Sequence, residues 1–182
     1  AEDLQFDMAN ETFGENSVLI AGSLENIAKA ILPHVDNIDL SGLTKQIGEL
    51  YDVYSLTTLS PFSGLENVIS ELENMRIPLG IATNDAEHTA ISHMDALGLT
   101  NRFTYIAGYD SGFGEKPDPG MVEGFMAHVN VEAEHTMMVG DSLTDCRAGR
   151  SAGAVVVAVT SGLADEPTLS PYADHVLSGI GE

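Results

Sequence analysis

Thr136-Met137-Met138-Val139-Gly140-Asp141-Ser142-Leu143-Thr144-Asp145 is the stretch on which the reading of this chain turns. A short, continuous apolar run of this kind predicts a strand buried on both faces. Gly140 lets the backbone turn, so Asp141 is presented at the carboxyl end of the strand, where open α/β sheets hold their ligands. A helix opening at Ser142 places Asp145 on its first turn near Asp141, and two carboxylates meeting there suit a hard cation such as Mg²⁺. The same pair is equally at home at the positive end of a helix with no ligand, so the motif alone leaves both readings open.

Helical periods and short apolar runs alternate around this stretch. Residues 64–75 predict a helix with Leu65, Val68, Ile69 and Leu72 on one side, and residues 77–82 a strand that stops at Thr83-Asn84-Asp85. A helix over 86–97, closed by Gly98, a strand over 103–107, a loop over 108–119 and a helix over 120–129 follow. Downstream lie a helix to about residue 152, a strand over 154–159 and a short one at 175–177. This alternation implies an α/β fold with a doubly wound parallel sheet. Toward the amino end the pattern differs. Residues 1–17 show no period and are expected to be irregular, whereas Ser23 is predicted to cap a helix to about residue 35 and residues 40–54 form a second amphipathic helix. Residues 18–56 thus read as a small helical unit, which divides the chain into a 1–57 region and a 58–182 core.

Composition narrows the function classes. At 182 residues with 43% hydrophobic content, the chain can bury a core of one domain with a small appendage. No apolar run approaches the roughly 20 residues of a membrane span, and the first residues lack the basic and apolar regions of a signal peptide, so the expected location is cytoplasmic. Seven Lys+Arg against 28 Asp+Glu give a net charge of -21, which repels phosphate backbones and anionic membranes and argues against nucleic acid or a membrane as partner. The single cysteine, Cys146, excludes an intrachain disulfide and a cysteine zinc cluster, and is expected to be a small buried residue rather than a nucleophile.

Two further segments carry groups of chemical interest. Thr83 and Asn84 offer a hydroxyl and an amide at the end of a predicted strand, where they would also serve simply as caps of the next helix. Lys116 lies in Gly114-Glu115-Lys116-Pro117-Asp118-Pro119-Gly120, with prolines stiffening the loop, and its basic charge in so acidic a chain points to an anion. A carboxylate pair for a metal, a hydroxyl and a lysine are together the parts that phosphoryl transfer uses.

In these stretches the chain resembles the haloacid dehalogenase superfamily, nearest its phosphoglycolate-phosphatase-like branch. The matching segments are Ile81-Ala82-Thr83-Asn84-Asp85, Gly108-Tyr109-Asp110-Ser111-Gly112 with Lys116-Pro117-Asp118-Pro119, and Val139-Gly140-Asp141-Ser142-Leu143-Thr144-Asp145 with Ala148-Gly149 and Ala152-Gly153. They cover about residues 60–180. The resemblance implies that Thr83 and Asn84 bind the transferring phosphoryl group with Lys116, that Asp141 ligates Mg²⁺ with Asp145 as a ligand or an anchor, and that residues 18–56 form part of a mobile cap. Thr83, Lys116 and Asp141 would be the catalytic set, acting on a small phosphorylated metabolite such as 2-phosphoglycolate through an aspartyl-phosphate, and Lys116→Ala would abolish turnover with the fold intact.

The chain departs from the family at its start. Members open on a strand ending in D-x-D-G-[TV], whose first aspartate is the nucleophile, and no such motif is found here. Asp7 has Ala9 where the second aspartate belongs, and residues 18–21 make a better strand but run into Gly22-Ser23. The expectation is therefore that the sequence begins inside the cap, and that the place between the 77–82 and 136–140 strands is filled, by a segment upstream or by the N-terminal stretch in an unfamiliar role, so that those two strands do not pair with each other. The alternative is a non-catalytic metal- or phosphate-binding protein on the same scaffold. A receiver-type domain fits less well, because receivers carry no helical insertion.

Overall fold

Short polar side chains start the helices at the amino end. In the computed structural model, which describes residues 6–7, 9–10, 12–14, 17–162 and 164–181, Ser17 accepts from Leu19 N–H (3.3 Å) at the head of α1 (Val18–Ala21). Ser23 accepts from Asn26 N–H (3.4 Å) before α2 (Leu24–Ile31), and Asp39 from Gly42 N–H (2.8 Å) before α3 (Leu40–Thr58). The 18–21 run, the better strand candidate by composition, is thus one turn of helix. Four apolar residues do not settle the period, and the Ser17 cap does. The first 17 residues also differ from the irregular expectation, because β1 (Phe6–Asp7) and β2 (Thr12–Phe13) pair as an antiparallel hairpin, with Asp7 opposite Thr12. Leu24 and Ala28 of α2 and Leu43 of α3 are buried where the two helices pack, giving the helical unit its own small core.

The rest of the described chain alternates as expected. α4 (Leu65–Asn74) leads to β3 (Gly80–Ala82), α5 (Glu87–Ala96), β4 (Tyr105–Ala107), α6 (Gly120–Val129), β5 (Met137–Gly140), α7 (Leu143–Ser151), β6 (Val155–Val159), α8 (Glu166–Leu169) and β7 (His175–Leu177). The strand expected from residue 77 begins only at Gly80. The Ile77 N–H turns back to Leu72 O (3.0 Å) at the end of α4, and Pro78 has no N–H for a ladder. β3 and β4 are parallel, with Gly80 opposite Tyr105. β5, β6 and β7 form a second parallel set with β6 in the middle, Met137 opposite Val155 and Val157 opposite His175. A helix lies on each connection between paired core strands, as parallel pairing requires.

Two apolar clusters hold this half. Cys146, Val156, Ala158, Ala164 and Leu169 join α7, β6 and α8, while Val122, Ala148 and Ala154, with Met126 and Met138 against them, join α6 to α7 and β5. α6 also reaches the other sheet, because the Phe125 ring lies over Gly80, where an added Cβ would fall 2.5 Å from the ring. α6 thereby spans two sheets that do not join: among the described residues β3 and β5 are not paired with each other. Met137 and Val139, on a strand whose sequence reads as buried on both faces, are 59% and 42% exposed. Their side chains point to one face of the sheet, which is therefore uncovered. Among the described residues the N-terminal hairpin pairs with neither β3 nor β5, so it does not fill the place between them.

Candidate active site

The carboxyl ends of β3 and β5 and the 108–119 loop converge on Lys116. Its Nζ lies 2.6 Å from Asp145 Oδ1, and both side chains are nearly buried, at 12% and 8% exposure. Asp145 is fixed at its other oxygen as well. Oδ2 accepts from Ser142 N–H (3.1 Å) and from Ser142 Oγ (2.6 Å), while Asp145 N–H donates to Ser142 Oγ (3.2 Å), which closes a capping box at the head of α7. Asp145 thus sits at the positive end of the helix, as one of the two readings had it, and its contact with the lysine is a feature that the sequence did not announce.

Asp141 stands beside this pair at the end of β5. Crowding by protein atoms first, and then the Asp145 charge, raise its carboxyl above the ordinary aspartate range, against the opposing pull of Lys116. Two glycines make room here. A Cβ on Gly140 would come 2.4 Å from the Asp145 carboxylate carbon, and one on Gly162 only 1.8 Å from Asp141 Oδ2. Gly140 lies outside the left-handed region, so this position is glycine for want of space rather than for a sharp turn. Gly162→Ala is expected to push the Asp141 carboxylate aside; if that carboxylate holds Mg²⁺, its binding should weaken by about 10- to 100-fold in a calorimetric titration. Unchanged affinity would show that the carboxylate has another place to go.

Thr83 extends the β3–β4 ladder through its N–H to Ala107 O (2.9 Å), and its hydroxyl accepts from Asp85 N–H (3.1 Å). Neither Thr83 nor Asn84 caps α5, whose N-cap is Ala86 with no side-chain bond. Asn84 instead reaches the loop: its Oδ1 accepts from Lys116 N–H (2.8 Å) and its Nδ2 donates to Lys116 O (3.0 Å). From the helical unit, Asn26 of α2 donates to Glu115 Oε1 (2.7 Å), and the buried Oε2 of Glu115 has no hydrogen-bond partner. The loop that carries Lys116 is thus held from both halves of the chain.

More polar contacts join α3 to α5. Thr89 Oγ1 donates to Asp52 (2.7 Å), His88 Nε2 lies 3.0 Å from the same carboxylate, and His93 Nε2 lies 2.8 Å from Ser55 Oγ. Burial, and then the Asp85 carboxylate beside it, push the Tyr51 phenol up to about 12. Cys146 is buried in the α7 cluster, and burial followed by the Asp145 charge raises its thiol, which agrees with a packing residue and not a nucleophile.

As a metal site, these residues form a partial set. Among the described residues no three His, Cys, Asp or Glu side chains gather in a way that could hold an ion. Asp141 with Asp145 behind it nevertheless fits Mg²⁺, which commonly takes one or two protein carboxylates and completes its shell with water and substrate phosphate oxygens. Ser142, Gly162, Asn26 and Glu115 were not singled out by the sequence reading. Only Ser142 left a local signal, the Ser-x-x-Asp spacing of a capping box.

No helix among the described residues is long and apolar enough to cross a membrane. The profile of the family described as haloacid dehalogenase-like hydrolase matches residues 6–159. A phosphoglycolate phosphatase of Mesorhizobium japonicum is 37% identical over 105 residues, covering 58% of this chain and 46% of that protein. The pyrophosphatase PpaX of Oceanobacillus iheyensis is 30% identical over 123 residues, covering 67% of this chain and 58% of its own length. The crystal structure of CbbY from Rhodobacter sphaeroides in complex with phosphate superposes with a TM-score of 0.77 at 21% identity, over 91% of this chain and 76% of that one. The chain spans about half the length of the curated relatives it matches. The match over residues 6–159, the parallel α/β fold and the convergence of β3, β5 and the lysine loop lead to one assignment: the chain belongs to the haloacid dehalogenase-like hydrolase family.

Proposed function

We propose that this chain acts as a Mg²⁺-dependent phosphatase for small phosphomonoesters, with 2-phosphoglycolate the first substrate to test. The observation that carries the reading is the nearly buried Lys116–Asp145 pair with Asp141 beside it at the strand ends. Lys116 would neutralise the phosphoryl oxygens, Thr83 and Asn84 lie at the strand end that meets it, and Asp141 would hold Mg²⁺ with Asp145 as its anchor. Bound there, Mg²⁺ would supply charge neutralisation on the phosphoryl group. Residues 1–57 would serve as part of a cap over a 58–182 core.

The nucleophile is proposed to come from a strand seated between β3 and β5, ending in an aspartate. Its carboxylate oxygen would attack phosphorus while the ester oxygen leaves with a proton, and water would then cleave the aspartyl-phosphate to release orthophosphate. Among the described residues β5 pairs only with β6 and β3 only with β4, which leaves a place for such a strand. A second reading, binding without turnover, is favoured by one observation. Of the two carboxylates at the described site, Asp145 is engaged by Lys116 and Ser142, and Asp141 is crowded by protein atoms and by the Asp145 charge.

Phosphate release from a panel of small monoesters, with and without Mg²⁺ and with Asp141→Asn as control, separates the two. Release that requires both Mg²⁺ and Asp141 supports turnover and shows that the protein assayed holds a nucleophile. Phosphate binding without release by the folded protein would favour the second reading.

A further inference from the structure

We propose that Asn84 is a positioning residue for Lys116, fixing the lysine's backbone so that its ammonium is delivered to the phosphate site. The inference rests on the reading of Lys116 as the phosphate-binding cation. A carboxamide is the side chain that offers a donor and an acceptor side by side, which is what the N–H and C=O of a single residue require. Asn84 makes both bonds to Lys116, at 2.8 and 3.0 Å, across 32 positions of sequence.

Beside the lysine, the other contacts of this loop fall on the neighbouring Glu115, which accepts from Asn26 and from Asp118 N–H (2.9 Å), and not on the backbone of the lysine itself. Between Gly108 and Pro119 the chain forms no helix or strand, and Pro117, next in line, has no N–H to give. Asn84, in contrast, follows directly on β3, where the ladder continues through Thr83 to Ala107 O (2.9 Å). Two roughly parallel hydrogen bonds fix orientation as well as distance, so the rigidity of the sheet is passed to a residue in a loop. Nζ sits at the end of a flexible four-carbon stem, and its 2.6 Å approach to Asp145 is kept only if the base of that stem is held. A displacement of about 1 Å at a charged group of this kind is enough to lose much of its effect.

Lysine labelling makes the test direct, because the chain has three lysines, Lys29, Lys45 and Lys116. In protein carrying ¹⁵N,¹³C-lysine, with Lys116 assigned through Lys116→Arg, amide exchange and the side-chain signal of Lys116 are recorded without ligand. Inorganic phosphate is then titrated. Asn84→Ala is expected to speed Lys116 amide exchange and to weaken phosphate binding, each roughly tenfold, and to shift the Lys116 side-chain signal before any phosphate is added. Asn84→Asp keeps the acceptor for the Lys116 N–H and loses the donor to its carbonyl. It is expected to restore amide protection and only part of the affinity.

Weaker phosphate binding with unaltered ligand-free Lys116 signals would overturn the proposal, since Asn84 would then act on phosphate itself. Faster exchange with unchanged phosphate affinity would also overturn it, leaving a tie that only holds the loop. If Lys116→Ala binds phosphate as tightly as the parent chain, the underlying reading of the lysine fails instead, and the Asn84 exchange data remain to show whether the clamp exists.

Discussion

Lys116→Ala is expected to destabilise the protein by about 3 kcal/mol and to abolish phosphate binding, because it leaves the nearly buried Asp145 carboxylate facing Asp141 with only Ser142 to donate to it. The sequence suggested that this lysine could be lost with the fold intact. The 2.6 Å contact at 12% and 8% exposure changes that expectation, since an ion pair so placed is costly to break from one side. Urea unfolding of Lys116→Ala, Asp145→Asn and the double variant measures the coupling. The double variant should recover much of the loss, as the uncompensated charge is then gone. A loss below about 1 kcal/mol in the single variant would place the pair with ordinary surface bridges and remove the argument for a dry anion site.

On the proposed reading Mg²⁺ would stabilise the parent chain, and Asp141→Asn is expected to remove that effect while making the metal-free protein slightly more stable at pH 7. The first effect follows from loss of the carboxylate that faces the site, and binding to the native state alone is what raises a melting temperature. The second follows from the direction of the shift. Crowding, then Asp145, hold the folded carboxyl above its unfolded value, so the group's stabilising contribution is complete below the unfolded pKa and is lost as pH rises through the folded one. At pH 7 the parent carries that unfavourable charge and the asparagine variant does not. The difference should therefore vanish as pH falls below about 4, where both states of the parent are protonated. Equal melting temperatures at pH 7 in chelator, or an equal Mg²⁺ response in both proteins, would each count against this account.

The core was largely legible because its signals are local. The Thr136–Asp145 stretch was read as strand, turn and helix, and the structure places β5 and α7 there, since an apolar run ending in a glycine and a capping serine specify their own conformation. The 120–129 helix agrees in both bounds for the same reason. Residues 18–21 went the other way, as four apolar residues fit either period and one serine decided it. The site was legible as a set of residues and not as a geometry. Lys116 and Asp145 were each singled out, yet their contact spans 29 positions, and that of Asn26 with Glu115 spans 89. Gly162 is glycine because of an oxygen that folding brings beside it, and nothing adjacent in sequence announces that.

The open flank of β5 also bears on how copies of this chain behave together. Among the described residues β5 pairs only with β6, and a strand edge of this kind beside the exposed Met137 and Val139 is a template on which a second chain can lay its own strand. What stands against such stacking is the charge of -21, which keeps like molecules apart at low ionic strength. Added salt shortens the reach of that repulsion to a few ångströms and leaves the apolar edge unchanged. The acidity that sets the chain apart in composition is, on this view, a colloidal guard over an apolar strand edge.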